Sequence, residues 1–172
     1  MQPSPRPARI QWMPPTQDTS MEGTTCDDQA QRLLQILWSG AEYSSVSREL
    51  AQLDTLAKRK RWEACHVENW RRLEKSWLYN CVSSWDRWAS WHERSLLHAS
   101  IPHCSRFKPP ASVLAQFLDD VRENRAEDEP FCGAGGHSAA YVAWCHLAWM
   151  EVELGFPLGT QLEQVRPRSA RP

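Results

Sequence analysis

Between residues 62 and 92, tryptophan and other large side chains recur every three or four positions. The positions are Trp62, His66, Trp70, Leu73, Trp77, Cys81, Trp85, Trp88 and His92. Such spacing places side chains on one face of an α-helix, whereas a half-buried strand would alternate every second residue. Neither proline nor glycine interrupts residues 41–101. We therefore expect one long tryptophan-rich helix here, or two helices joined by a kink.

Helical spacing of apolar residues also predicts four further segments, at 26–40, 44–59, 111–124 and 138–155. The spacing fails at 57–61, where we expect a bend or a fully solvated turn. The last segment is apolar on nearly every side, which is typical of a helix at the buried centre of a bundle. The predicted fold class is all-α, an irregular bundle of four to five helices that spans residues 26–156.

Both ends of the chain differ in composition from the helical segments. Residues 1–25 contain prolines at positions 3, 5, 7, 14 and 15. Proline at this density removes backbone donors and disfavours helix, so we expect a disordered arm. The tail at 157–172 is polar and basic, and we expect it to be loosely held.

Charge and hydropathy exclude several classes of protein. The 172 residues carry 20 Lys and Arg against 21 Asp and Glu, a net charge of −1. No overall positive field is therefore available to hold nucleic acid. No apolar run is long enough to span a membrane, and the first residues lack the apolar stretch of a secretory signal. We expect a chain that is not secreted, whose six cysteines are thiols or metal ligands rather than disulfides.

The six tryptophans within residues 58–97 admit three interpretations. Indoles bury a large apolar area, so they can simply form the core. They also exceed what one neighbouring helix covers easily, so some can face a partner protein or stack on bases. We expect contacts with host or viral proteins through Trp70, Trp77, Trp85, Trp88, Arg71 and Arg72. The alternative is a nucleic-acid surface that uses Arg71, Arg72 and Arg87 beside neighbouring indoles.

Four contiguous cations, Lys58, Arg59, Lys60 and Arg61, lie at the end of the second predicted helix. Runs of this kind repel one another, stay solvated and bind acidic grooves, including those of nuclear import receptors. We expect this run to direct the chain to the host nucleus. The alternative is an ordinary solvated helix surface, in a chain that stays in the cytoplasm.

Cysteine and histidine occur together in the two loops predicted at 101–112 and 125–137. Zinc is held by four such ligands in tetrahedral geometry. His103, Cys104, Cys132 and His137 form a candidate set that would join the loops, although their spacing matches no standard zinc finger. The alternative is small buried thiols and surface imidazoles, with no cofactor.

Motifs of catalysis are missing from the sequence. The glycine-containing stretch at 131–141 lacks the lysine of a phosphate-binding loop and follows an acidic turn rather than a strand. No serine-hydrolase elbow, zinc-protease motif or calcium loop occurs. We expect a protein that is not an enzyme.

The order of Cys81, Trp85, Asp86 and His92 resembles the C-terminal aromatic region of the small nuclear nonstructural proteins of bocaparvoviruses and related parvoviruses. The resemblance covers roughly a dozen of the 172 residues. Those proteins carry an Arg/Ser-rich N-terminal region where this chain has prolines, and a second cysteine beside Cys81 is missing. The resemblance implies a nuclear accessory protein that supports viral replication and RNA processing by binding host factors.

Overall fold

The computed structural model describes residues 25–123 and 137–167. Helices form most of these residues, and no strand occurs among them; residues 105 and 108 make a single isolated bridge. The helices are α1 (Cys26–Ser39), α2 (Ser47–Ala51), α3 (Leu56–Arg71), α4 (Lys75–Leu97), α5 (Ala111–Arg122) and α6 (His137–Leu154). The all-α fold class is confirmed. The tryptophan-rich segment consists of two helices, α3 and α4, which is the second of the two expectations.

Helix α1 begins at a capping box. The Thr25 hydroxyl accepts a hydrogen bond from the Asp28 amide at 3.2 Å, and the Asp28 carboxylate accepts one from the Thr25 amide at 2.7 Å. These bonds satisfy two of the amides that a helix start leaves without partners. The donated hydrogen bonds from Thr25 also lower the pKa of Asp28. The cap therefore fixes the point at which the chain enters the domain.

The segment predicted as one helix at 44–59 is broken in the structure. Helix α2 ends at Ala51, and α3 begins at Leu56 after an N-cap at Thr55. The Thr55 hydroxyl accepts a hydrogen bond from the Lys58 amide at 3.2 Å. A threonine that bonds to the backbone in this way competes with continued helix, so the chain turns without proline or glycine. The expected bend at 57–61 consequently lies earlier, at 52–55, and 57–61 belongs to α3.

The helices pack around a core of large side chains. Helix α1 lies against α3 and α4, and α6 lies against α4 and α5. The largest fully buried side chains are Trp70, Trp88, Phe117, Phe156, Leu33, Leu37, Leu78, Leu114, Leu147, Met150, Leu154 and Leu158. Every described helix except the short α2 contributes at least one of them, so a single core joins the bundle.

The expected loose tail packs on the domain as far as residue 167. Leu158, Thr160 and Val165 are each no more than 2% exposed. The Glu151 carboxylate accepts hydrogen bonds from the amides of Gly159 at 2.8 Å and Thr160 at 3.0 Å. The indole of Trp144 donates to the Thr160 carbonyl at 2.7 Å. The boundary predicted at residue 156 is corrected, because this turn is bonded to α6.

Gly40, which ends α1, is required by the close approach of an aromatic ring. A Cβ at this position would overlap the ring of Phe107. We expect Gly40→Ala to lower the free energy of unfolding by about 1–3 kcal/mol, because Phe107 is buried and the core must shift. Urea unfolding measures the change. The control is Ser39→Ala at the adjacent exposed position, and equal effects of the two substitutions would contradict the assignment.

Candidate interaction surface

Most of the tryptophan stripe faces the interior. Trp70, Trp85 and Trp88 are 1%, 2% and 0% exposed. Trp85 packs between Phe107 and Phe156, with ring centroids 5.5 and 5.6 Å away. These three indoles form core, and the structure thereby corrects their prediction as a partner surface. The helical period identified their common face but carried no information about which side of the helix was inside.

Buried indoles in this domain give their N–H groups to acidic side chains of other helices. Trp70 donates to Glu153 of α6 at 2.8 Å, and Trp91 donates to Asp120 of α5 at 2.9 Å. A buried polar group without a hydrogen-bond partner costs free energy, so each of these hydrogen bonds lowers the cost of burying its indole. These pairs could not be predicted from the sequence, because the partners lie far apart along the chain.

Trp77 differs from the other tryptophans of the stripe because it is only half-buried. It lies at the N-terminal end of α4 against α6. Its ring meets Trp149 edge to face, with centroids 6.3 Å apart and planes at 86°. It meets His146 in the same manner at 5.2 Å and 74°. Trp77 is thus the member of the predicted set that reaches the surface, and its main companion, Trp149, was not predicted.

Helix α6 was expected at the buried centre of the bundle, and only one of its sides is buried. Its outer side carries Val142, Cys145, Trp149 and Val152, spaced three, four and three residues apart. The first three are half-buried and Val152 is 81% exposed. None of these side chains is charged. We call these four residues together with Trp77 the Trp149 face. The sequence indicates this face only through the lack of a polar side over most of α6, which implies an apolar surface wherever no other helix covers it.

The basic run lies in the first turns of α3 and is exposed throughout. Lys58 pairs with Asp54 at 2.7 Å. Arg59 pairs with Glu63 at 3.0 Å and lies over the Trp38 ring, 3.9 Å from its centroid.

Lys60 and Arg61 make no ion pair within residues 25–123 and 137–167. Cations near a helix N-terminus oppose the helix dipole, so the helix itself gains nothing from them. They remain available to an acidic partner.

The arginines predicted to accompany the indoles lie elsewhere. Arg71 pairs with Asp27 at 2.5 Å and with Glu68 at 3.6 Å. Arg72 is 4.0 Å from Glu68 and largely exposed. Arg71 therefore ties α3 to the start of α1. The structure does not bring these arginines together with exposed indoles, because the nearest ring, Trp70, points inward.

The predicted zinc ligands are only partly described. Cys132 and the side chain of His137 lie outside the described residues. Cys104 contacts His92, with Sγ 3.4 Å from Nε2, while His103 is exposed. Burial raises the pKa of Cys104 and lowers that of His92. Within the described ranges no three His, Cys, Asp or Glu side chains converge on one point.

Comparisons with protein-family models, curated proteins and solved structures find no match to this chain. In the part of the chain that the structure describes, no helix is both long enough and apolar enough to cross a membrane.

The imidazole of His146, beneath the Trp149 face, makes stability depend on pH. Burial lowers its pKa from 6.5 to about 4. Between those values the unfolded chain binds a proton that the folded chain does not, so the free energy of unfolding falls as pH decreases from 6.5 towards 4. The slope from this group approaches about 1.4 kcal/mol per pH unit.

The measurement is urea unfolding at a series of pH values for the unaltered chain and for His146→Gln. We expect the difference between the two chains to shrink as pH falls, because only the unaltered chain has this histidine to protonate. Parallel losses of stability would contradict a buried neutral imidazole.

Proposed function

We propose that this chain acts without catalysis, as a module that binds a partner protein through the Trp149 face. The observation that carries the proposal is the run of uncharged side chains along the outer side of α6, which the exposed Glu153 borders and on which Val152 is 81% exposed. Contiguous apolar surface is unfavourable in water and in monomers marks sites of interaction. Tryptophan also contributes disproportionately to the binding free energy of protein interfaces.

A protein partner is favoured over a nucleic acid by the charges around the face. Base stacking requires exposed rings interleaved with cations that neutralise phosphates. The Trp149 face has rings but no cation among its members, and Arg71 is engaged with Asp27 and Glu68. The contact we propose is therefore apolar and weakly dependent on salt.

The arrangement of thiols and imidazoles supports a role without catalysis. Among the described cysteines, Cys104 contacts an imidazole, that of His92, with Sγ 3.4 Å from Nε2. Burial raises the pKa of Cys104, which disfavours the thiolate, and lowers that of His92. A catalytic cysteine requires the opposite shift in its own pKa.

We further propose that the module serves as a nuclear accessory protein in viral replication or RNA processing. The order of Cys81, Trp85, Asp86 and His92 supports this assignment through its resemblance to parvoviral nonstructural proteins. Three of these residues are buried along α4, and Asp86 pairs with Arg32 at 2.8 Å. The shared order therefore bears on how α4 packs, and the contact surface lies elsewhere, on α6.

Val152→Asp tests the contact surface. We expect it to abolish partner capture, because a carboxylate would have to lose water within an apolar contact. The fold should be unaffected, since the position is exposed. The measurement is affinity capture from cells at physiological salt and at about 0.5 M salt, where exposed charge pairs are screened.

The matched control for capture is Leu97→Asp, which places the same charge on another exposed apolar residue near a helix end; Leu97 is 79% exposed. A partner that both the unaltered chain and this control retain at high salt, and that Val152→Asp loses, supports the proposal. Equal retention by all three chains would refute it.

Replacing Lys60 and Arg61 with alanine tests the import role. We expect the double variant to leave the nucleus, because these two cations have no described ion-pair partner and are free to enter an acidic groove. The chain is 19.9 kDa, so it is fused to a fluorescent reporter too large to diffuse passively. The control is Arg71→Ala with Arg72→Ala, which removes the same charge elsewhere. An unchanged nuclear signal, or an equal loss in the control, would contradict the assignment.

A further inference from the structure

We infer that residues 10–17 of this chain dock on its own Trp149 face and compete with the partner for it. This inference deepens the proposed function and rests on it, since it treats the Trp149 face as a contact surface. These residues precede the described part of the chain, and their sequence is IQWMPPTQ. Three properties of the chain support this docking: the chemistry of the face, the composition of the segment and the place where the chain enters the domain.

The face has the chemistry that receives proline-rich segments. The rings of Trp77 and Trp149 meet edge to face at 86°, so the edge of one ring lies beside the flat face of the other. Extended proline-rich peptides bind between aromatic rings of this kind, and their backbone loses little entropy because proline already fixes its φ angle. Val152 and Val142 extend the apolar surface along α6 in both directions from Trp149.

The segment matches the face in charge and polarity. Residues 10–17 contain no charged side chain, whereas the flanking arm carries Arg6, Arg9, Asp18 and Glu22. Pro14 and Pro15 stand at its centre, after Trp12 and Met13. The uncharged part of the arm is therefore also its most apolar part, and it would meet a face that itself holds no charge.

The entry point of the chain puts the segment within reach. The capping box at Thr25 holds the start of α1. Asp28 in that cap interacts electrostatically with Lys75, the first residue of α4, and Asp27 pairs with Arg71 at 2.5 Å. Trp77 follows Lys75 by two residues, so the described chain begins at the end of α4 that carries the Trp149 face.

The linker between the segment and the domain is long enough. Residues 18–24 number seven and span up to about 23 Å when extended. An α-helix with its side chains is roughly 10–12 Å wide, so this linker can pass around the start of α4 from α1 to α6. A tether of this length gives a local concentration on the order of millimolar, so weak contacts suffice to occupy the face.

Photo-crosslinking in the full chain tests the docking directly. Trp12 is replaced by p-benzoylphenylalanine, and the adducts are mapped by mass spectrometry in an equal mixture of isotopically light and heavy chains. We expect light–light and heavy–heavy adducts on the peptides that contain Trp77 and Trp149. The adducts should disappear in Val152→Asp and persist in Leu97→Asp. Adducts on other surfaces, adducts that join light to heavy chains, or no adducts would each overturn the inference.

Partner capture separates this inference from the proposed function. Trp12→Ala should raise the apparent affinity for the captured partner by about two- to tenfold, as expected if the segment covers the face in roughly half to nine-tenths of the chains. The variant should remain folded, with a melting temperature lowered only by the loss of the docked state. Intramolecular adducts together with partner binding that Val152→Asp leaves intact would uphold the docking and refute the proposed function. Partner binding that is lost in Val152→Asp, with no adducts and no effect of Trp12→Ala, would uphold the proposed function and refute the docking.

Discussion

Burying a tryptophan ring costs free energy unless its N–H finds an acceptor, and in this chain carboxylates from other helices are the commonest acceptors. Four indoles are bonded in this way at 2.6–2.9 Å. The pairs connect α1 to α3, α2 to α3, α3 to α6 and α4 to α5, and they are Trp38–Glu63, Trp62–Glu49, Trp70–Glu153 and Trp91–Asp120. Each bond places a polar contact beside an apolar one, so it selects one arrangement of its helices where apolar packing alone would tolerate several.

These bonds explain how so many indoles fit in a chain of modest hydropathy. The carboxylates that serve as acceptors lie at the margin of the core, where one oxygen bonds the indole and the group keeps contact with water. The buried aromatic core therefore reaches the surface at the indole N–H groups, where these carboxylates lie. The same arrangement uses up most of the stripe on α3 and α4, since Trp70, Trp85 and Trp88 become interior. Of the four indoles predicted at the surface, Trp77 alone is partly exposed, and the partly exposed indole beside it, Trp149, lies on α6.

The sequence predicted those features that local chemistry determines. The bounds of α1, α5 and α6 differ from the expectation by at most two residues, because caps, glycine or proline mark their ends. The breaks at 52–55 and 72–74 could not be located in advance. One depends on the Thr55 hydroxyl bonding the Lys58 amide, and the other has no cap from a side chain at Glu74. Tertiary packing determines where these breaks lie, because it orients α3 and α4 so that the stripe faces the core on both helices.

The candidate site was harder to predict than the fold for a related reason. Periodicity reports that residues share a face, and it says nothing about which face meets the core. On α3 and α4 the aromatic face is inside, which removes three of the four indoles expected at the surface. On α6 the charged residues are Glu151 and Glu153, near its C-terminal end, so over most of the helix no periodic signal distinguishes its two sides. The exposed side could be recognised only after α4 and α5 had been seen to cover the other.

The lack of a polar side on α6 links the stability of the domain to its function. A helix at the edge of a bundle is usually polar outside, because charged residues there favour the solvated state. Helix α6 instead presents valine, cysteine and tryptophan, although the chain has ample charge elsewhere and uses it on the neighbouring helices. The buried side of α6 is sufficient for folding, since Leu147, Met150 and Leu154 are fully covered. The outer side is only partly covered, since Cys145 and Trp149 are half-buried against the core and Val152 is 81% exposed; the partner surface that we propose would cover the remainder.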